Sequence, residues 1–495
     1  MANKVLTMLE VSQKQAYIFS SNKLQDNITN SAVIARVLEN DFLEKVISDK
    51  TISDKTIYNG KLNMVYSGGG HTVLEFETRE QAVKFTKRIT KFVYENFDGL
   101  IIFATTMDYV ETLSPGDNCK NLTIKLEKKK ALRSAVFHQG SFGIEKINAT
   151  TLSPESVDKV CEEKVTIRKR ENMSERERLP KGYEPVCLFS DLGGSKYNSN
   201  FIAVVHIDGN AMGKRVENLD IVSQKEGWSW DTYKEKMRNF SSHIDSDFKV
   251  AYKEMEKDIL ASIKSGALND LELSEKHFPV RRIITAGDDI CFVSEGRIGI
   301  ECAVRFIEKL SKKTNEEDEE GYAACAGVAI VHQKYPFYKA YELAESLCSN
   351  AKKYGASLSK DGSGKEVSVV DWHIEFGEIK DTLDEIRDTY KDMDGHELNA
   401  RPYLISSTDE IMESQNRKQY TKFRKMITVL QKKEENFARG KLKELRGALK
   451  KGQKETDYFL KFNKLEDIVI NNDRELLFDV IELLDTYVTL DGEGR

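Results

Sequence analysis

Proline is scarce, with seven in 495 residues, so no Pro-rich linker divides the chain. Seven cysteines stand at 119, 161, 187, 291, 302, 325 and 348, and none form a CxxC pair. That odd, scattered set fits neither a disulfide framework nor a structural zinc site. No run approaches the roughly 20 apolar residues of a membrane-spanning helix. The N-terminus, MANKVLTMLEVSQKQ, has neither the apolar core nor the small-residue cleavage site of a secretion signal. Positive charge is not in excess either: 75 Lys+Arg against 81 Asp+Glu leaves a net charge of -6, so the chain as a whole is no basic nucleic-acid binder. The expectation is a reduced, cytoplasmic protein with no membrane partner and no zinc.

What is present is ample core material, 40% hydrophobic with 9% aromatic, over a length that suggests about three domains. FIAVVHI (201–207) has strand length and ends in Asp208. A charged segment with helical spacing of Phe and Met follows at 229–264. VRRIITAGDDICFVSE reads as strand, turn, strand, then come a helix (298–313), a buried strand (322–332), a helix closed by glycine (338–355) and a last strand (367–375). This is the split βαβ, or ferredoxin-like, order. The N-terminal part repeats it, with a strand at 4–11, a strand-turn-strand at 61–77, a strand at 100–110 and helices at 79–97 and 119–135. Overlaying the copies sets Gly68-Gly69-Gly70-His71 on Ala286-Gly287-Asp288-Asp289 and Ser12 on Asp208, so the first copy is expected to lack every carboxylate of the second. VTIRKRENMSERERLPKGYE (165–184) has no apolar period and reads as a linker or exposed insertion. Residues 417–456 hold 14 Lys/Arg against 4 Asp/Glu, a basic helical region on an acidic body. The expected fold is α+β: a first ferredoxin-like unit at 1–140, a linker or insertion at 141–197, a second such unit at 198–376 and a helical C-terminal domain at 377–495.

Asp208, Asp288 and Asp289 carry the chemistry. Asp208 ends one strand and the other two lie in the turn between two more, and a ferredoxin-like sheet places the first strand beside that hairpin. Hard divalent ions such as Mg²⁺ or Mn²⁺ take oxygen ligands, commonly one or two carboxylates plus phosphates, and two such ions stabilise both oxygens of a phosphoryl transfer. Gly209-Asn210-Ala211-Met212-Gly213 follows Asp208, and its glycines let backbone N–H groups approach a triphosphate. Gly287 opens the turn, and Lys352 and Lys353 offer positive charge to phosphates. Each feature alone has an ordinary reading: Asp is common in turns, and a lysine pair is usually a solvated helix face. His206 reads as a half-buried strand residue, Cys291 and Cys325 as small buried hydrophobes. Tyr420, Phe423, Phe437 and Tyr458 have core spacing, with RNA stacking as the alternative.

The residues QAYIFSSNKLQDNITNSAVI (15–34), YSGGGHTVL (66–74), FIAVVHIDGNAMG (201–213) and ITAGDDICF (284–292) carry a resemblance to the large palm-domain subunit of type III CRISPR effector complexes. The match spans about residues 1–375. The resemblance implies two palm domains, the first degenerate, and polymerisation of ATP into linear or cyclic oligoadenylates with pyrophosphate release, in antiviral defence. It implies Asp208, Asp288 and Asp289, with Ile207, as the metal set, and the 209–213 loop as the triphosphate cradle. It also suggests RNA or other effector subunits as partners of the basic tail. Several family features are missing: no His-Asp dipeptide of an HD nuclease occurs, only Cys161 and Cys187 lie where a four-cysteine zinc site is usual, and Asn210 stands where a second Asp is common. Two other functions stay open, a non-catalytic RNA- and subunit-binding scaffold and a dinucleotide cyclase using other nucleotides.

Overall fold

Two sheets organise the chain, each grown around a first strand too apolar to face water. The computed structural model describes residues 4–48, 62–132, 144, 162–192, 200–377, 382–432, 439–465 and 473–491. In the N-terminal part, β1 (Val5–Ser12) is followed by α1 (Lys14–Ile18), α2 (Leu24–Arg36) and α3 (Asn40–Ser48). The hairpin β2 (Asn63–Gly68) and β3 (His71–Phe76) comes next, then α4 (Arg79–Asn96), β4 (Ile101–Asp108) and α5 (Pro115–Ala131). After α6 (Glu162–Arg178) the order recurs as β5 (Phe201–Gly209), α7 (Met212–Glu226), α8 (Trp230–Ser265), the hairpin β6 (Val280–Ala286) and β7 (Asp289–Glu295), α9 (Gly299–Leu310) and β8 (Ala324–His332), extended by α10 (Phe337–Leu358) and β9 (Ser368–Glu375). The C-terminal part holds α11 (Leu383–Asp388), β10 (Tyr403–Ser406), α12 (Asp409–Ser414), α13 (Tyr420–Lys432), α14 (Arg439–Lys450), α15 (Gln453–Asn463) and α16 (Arg474–Leu483).

The sheet orders are β2-β3-β1-β4 and β10-β9-β8-β5-β7-β6. In each, the first strand lies antiparallel between the second strand of the hairpin and the fourth strand. Both are the split βαβ arrangement, within an α+β fold. The helices follow from ordinary rules. Thr78 and Gln81 close a capping box at the start of α4. Ser229 caps α8, whose Tyr233, Met237, Phe240, Ile244, Phe248, Tyr252, Met255 and Ile259 form one buried stripe, and Gly266 ends it in the left-handed conformation. Glycine matters at Gly327 on β8, where a Cβ would lie 2.9 Å from Leu347 Cβ and closer still to Ala344 O and Cys348 N. Its absence lets α10 settle onto the sheet. Among the described residues no helix is long and apolar enough to cross a membrane.

Two sequence expectations need correction here. The stretch read as a linker at 165–184 is mostly α6, a docked helix. Its Glu175 is buried between Arg178 (2.6 Å) and Arg281 (3.3 Å), Arg178 also pairs with Glu256, and Arg168 reaches Asp26 on α2 at 2.8 Å. The helix buries ion pairs rather than an apolar stripe, so hydrophobic periodicity could not reveal it. The C-terminal part is not wholly helical: β10 joins the second sheet beside β9, its Tyr403 ring stacked on Trp372 at 5.1 Å and 8°. Tyr420 and Phe423 are core residues and Tyr458 is exposed; Phe437 and Cys161 lie outside the described residues.

Strand register corrects the overlay of the two copies. Gly68 pairs with His71 as Ala286 pairs with Asp289, so the hairpins correspond as expected. His71 faces Glu10, however, as Asp289 faces Asp208. Val11 N–H donates to Gly70 O as Gly209 N–H donates to Asp288 O. The first-copy counterpart of Asp208 is therefore Glu10, two residues before Ser12, and one carboxylate survives there. The match continues outward: Gln13 (φ 52°) and Ala211 (φ 58°) are both left-handed residues that start a helix.

Candidate active site

Asp208 sits at the end of the central strand β5, directly opposite Asp289 on β7. Opposed residues on antiparallel strands share a face, with Cβ atoms about 5 Å apart. Asp288 lies in the two-residue turn with Gly287, whose φ of 64° suits glycine. Gly209 keeps this corner tight, since a Cβ there would come within 2.9 Å of Met212 Cε, 3.0 Å of Asp288 Cβ and 3.2 Å of Phe248 Cζ.

The electrostatics are those of crowded anions. Burial, then the Asp208 charge, pushes Asp288 up to about 6 and Asp289 up to about 7. One oxygen of Asp289, Oδ1, is inaccessible and has no hydrogen-bond partner, while 41% of the side chain stays open to the cleft. His206 Nδ1 lies 3.4 Å from that oxygen, also without a partner, and burial lowers its imidazole pKa below the usual histidine range. Asp208 is partnered by Lys352, Nζ to Oδ2 at 2.6 Å, and the same ammonium donates to Gly209 O at 3.0 Å.

Several expected site residues are placed differently from their sequence reading. Lys352 holds the carboxylate itself rather than pointing freely toward a phosphate site. Lys353 is exposed and shares with Lys352, Asp208 and His206 a recess of about 560 Å³. Asn210 is buried; its amide donates to Gly364 O (2.9 Å) and Val367 O (2.6 Å), so its side chain ties down the 364–367 loop. Ala211 and Met212 open α7 with no side-chain cap. A Cβ on Gly213 would meet nothing within 4 Å. Ile207 is fully buried and has only its carbonyl oxygen to offer. The three aspartates are neighbours, but they do not bring ligand atoms within 4.8 Å of one another. Among the described residues, Asp392, Asp394 and His396 are the group that does. Asp392 there is occupied by the amides of Asp394 and His396 (2.9 Å each) and by Arg474 (3.3 Å), which makes it the closure of a turn.

Asp288 and Asp289 face a cleft of about 1170 Å³ whose other wall is the first unit: Gln13, Lys14, Leu38, Tyr66 and Gly68–Gly70. The two hairpin tips meet there, a Cβ on Gly287 falling 3.7 Å from Gly69 N. Residues that sequence reasoning did not single out complete the surroundings. Glu345 and Tyr341 share the α10 face that carries Lys352, and Gln15 of the first unit donates to Glu345 (2.5 Å) and Tyr341 OH (3.2 Å). The spacing 341, 345, 352 was the available signal, since those positions line one helix face. Glu10 pairs with Lys130 at 2.9 Å, mirroring Asp208 with Lys352, and each lysine lies fifteen residues beyond the first of its helix.

The residues fit a hard divalent cation in kind. They offer carboxylate oxygens, one of them buried and unpartnered, in a place where ionisation lacks sufficient positive charge.

Comparison with known proteins bears on the fold that carries this site. Residues 201–361 match the family model for Cas10/Cmr2, second palm domain. No curated protein sequence matches. Among solved structures, Csm1 of T. onnurineus is similar with a TM-score of 0.55 and 14% identity, over 98% of this chain and 70% of that one. The apo Csm1–Csm4 cassette gives 0.54 and 14%, over 100% and 70%. The Csm1–Csm4 cassette in complex with cA3 gives 0.54 and 13%, over 98% and 70%. Residues 201–361 are thus similar to a Cas10/Cmr2 second palm domain, and the chain has the fold of Csm1.

Proposed function

We propose that the chain is a metal-dependent nucleotidyltransferase that joins ATP into oligoadenylates, linear or closed into rings. The observation that carries this is the pairing of Asp208 with Asp289 across adjacent strands, with Asp288 in the adjoining turn, all on the wall of a cleft large enough for nucleotides. The cassettes named with cA3, cA4 and AMPPNP support the substrate class, and their second subunit, Csm4, supports a protein partner for this chain too.

In the reaction a 3′-hydroxyl attacks the α-phosphate of the next ATP, the new phosphodiester forms and pyrophosphate leaves. Asp208, Asp288 and Asp289, with the Ile207 carbonyl, would hold Mg²⁺ or Mn²⁺, which supplies charge to the attacking and leaving oxygens. The protein does the rest by position. The uncapped N-terminus of α7 presents free amides and a positive dipole end to an anion, and the open space before Gly213 lets a phosphate approach them. Lys352 neutralises Asp208 in the resting protein, and a cation taking its place there would release the ammonium toward phosphate oxygens. Asn210 keeps the loop fixed while this happens.

The test is incubation of the purified chain with each nucleoside triphosphate and Mg²⁺ or Mn²⁺, with and without added RNA, followed by mass spectrometry. Oligoadenylates and pyrophosphate are expected from wild type and not from the Asp288→Ala, Asp289→Ala double variant. Absence of pyrophosphate under every condition would defeat the enzyme reading, and identical products from the double variant would defeat the site.

A further inference from the structure

The first unit's turn has lost its aspartates, yet its glycines are not idle. Gly70 is the register counterpart of Asp288. A Cβ at Gly70 would lie 2.6 Å from Lys14 Cε and 2.9 Å from Cδ, with Nζ closer still. The place of the missing carboxylate is therefore filled by a lysine side chain, whose Nζ donates to Gly69 O at 2.5 Å. Lys14 is aimed there by Gln13, a non-glycine residue in the left-handed region, which is a local strain commonly kept at functional positions. Lys14 corresponds to Met212, the first residue of the helix that follows Ala211, so the two copies have a cation and an apolar residue at one equivalent position.

Lys14 also faces the second unit. It lines the same cleft as Asp288 and Asp289, and its charge is among those that draw the Asp289 carboxyl down. The other basic groups of that cleft are already engaged: Arg238 donates to the carbonyls of Met64 and Val65, and Lys249 pairs with Asp245 at 2.5 Å. Among the described residues no carboxylate lies within ion-pair distance of Lys14, whose partner is a neutral carbonyl that an anion can displace.

We infer that Lys14 is a phosphate-binding residue supplied by the first unit, reaching across the cleft to the polyphosphate of the nucleotide held at Asp208, Asp288 and Asp289. This rests on the nucleotidyltransferase reading for its setting. In physical terms the duplicated turn has exchanged a metal-binding carboxylate for room to seat a cation. A compact ammonium on a flexible stem suits a phosphate whose charge moves during transfer.

Equilibrium binding of two probes to the full chain with Mg²⁺ tests it: a non-hydrolysable ATP analogue and adenosine. Lys14→Ala is expected to weaken the analogue by about tenfold or more, the scale of one hydrogen bond to a charged group, and to leave adenosine unchanged. Lys14→Arg should restore most of the loss. Equal weakening of both probes with a lowered unfolding midpoint would make Lys14 a brace for the Gly69 turn and overturn the proposal, as would an unchanged affinity for the analogue. The product assay above reads separately. Wild type that binds the analogue but forms no product defeats the enzyme reading, while a Lys14-dependent affinity ratio would still support the phosphate contact.

Discussion

Replacing Asp289 by Asn reverses its effect on stability depending on pH and cation, and the reversal distinguishes a metal clamp from a polar turn. The charged groups bearing on Asp289 are Asp208, Lys14, Glu345 and Lys352, with the buried His206 imidazole at 3.4 Å. Burial and Asp208 hold its carboxyl at about 7 instead of 3.8. Between those values the native protein keeps a proton that the unfolded chain has released. Stability therefore falls as pH rises through this window, and the full cost applies above about 7. At the full exchange of about 1.4 kcal/mol per pH unit the cost would be about 4 kcal/mol. With 41% of the side chain exposed, water screens it to about 1–2 kcal/mol. In chelator at pH 8, Asp289→Asn should raise the unfolding midpoint of this domain by a few degrees; below pH 4 wild type and variant should coincide. Adding Mn²⁺ at pH 8 should stabilise wild type and not the variant. Thermal unfolding by circular dichroism, run across these three conditions, reads all of it. A variant less stable than wild type at pH 8 in chelator would refute the reasoning, because it would show the carboxylate to be a favourable turn group.

Asn210→Asp, which restores the residue common at that position in the family the sequence resembles, should not improve metal binding here. It sets a carboxylate against the Gly364 and Val367 carbonyls, and a cost of about 1–3 kcal/mol in unfolding free energy is expected. Gly209→Ala should cut product formation tenfold or more, beyond what an overpacking cost of about 1–3 kcal/mol explains, because its Cβ presses Asp288 from 3.0 Å; steady-state rates against unfolding midpoints separate the two effects. Glu301→Gln should loosen the C-terminal part from α9. Glu301 is buried and accepts from Tyr420 OH (2.7 Å), Tyr487 OH (2.6 Å) and Arg424 Nε (3.0 Å), so a loss of about 3–5 kcal/mol is expected, visible as protease cleavage after α9.

The parts of the fold that could be read in advance are those written in apolar runs. β5 and the β6–β7 hairpin are β-branched stretches ended by Asp or Gly, and α8 carries its stripe of Phe, Met and Ile, so their order and type follow from period and punctuation. What escaped was written in other terms. α6 is held by Glu175, Arg178 and Arg281, charges that satisfy one another in the interior, and a helix of that kind has no hydrophobic period to find. β10 is four residues long and is a strand because β9 offers an edge with Trp372 waiting for Tyr403. The aspartates were visible as residues, but not the cation already on Asp208, since Lys352 meets it only because Gly327 lets α10 lie close to β8.

The most consequential miss was one of counting. Strand ends suggest that Ser12 faces the first hairpin as Asp208 faces the second, which makes the first unit look stripped of every acid. Register moves the match to Glu10, whose pairing with Lys130 reproduces Asp208 with Lys352. Both units thus keep a carboxylate–lysine pair on the first strand and differ at the hairpin, Gly70 and His71 against Asp288 and Asp289. A single strand carboxylate with its lysine is neutral and needs no ion; adding two more acids at the turn creates the surplus of negative charge that a divalent cation would relieve. Under the proposed function, the hairpin pair rather than Asp208 would therefore be the element that equips one copy for metal chemistry, while the other shapes the opposite wall of the cleft.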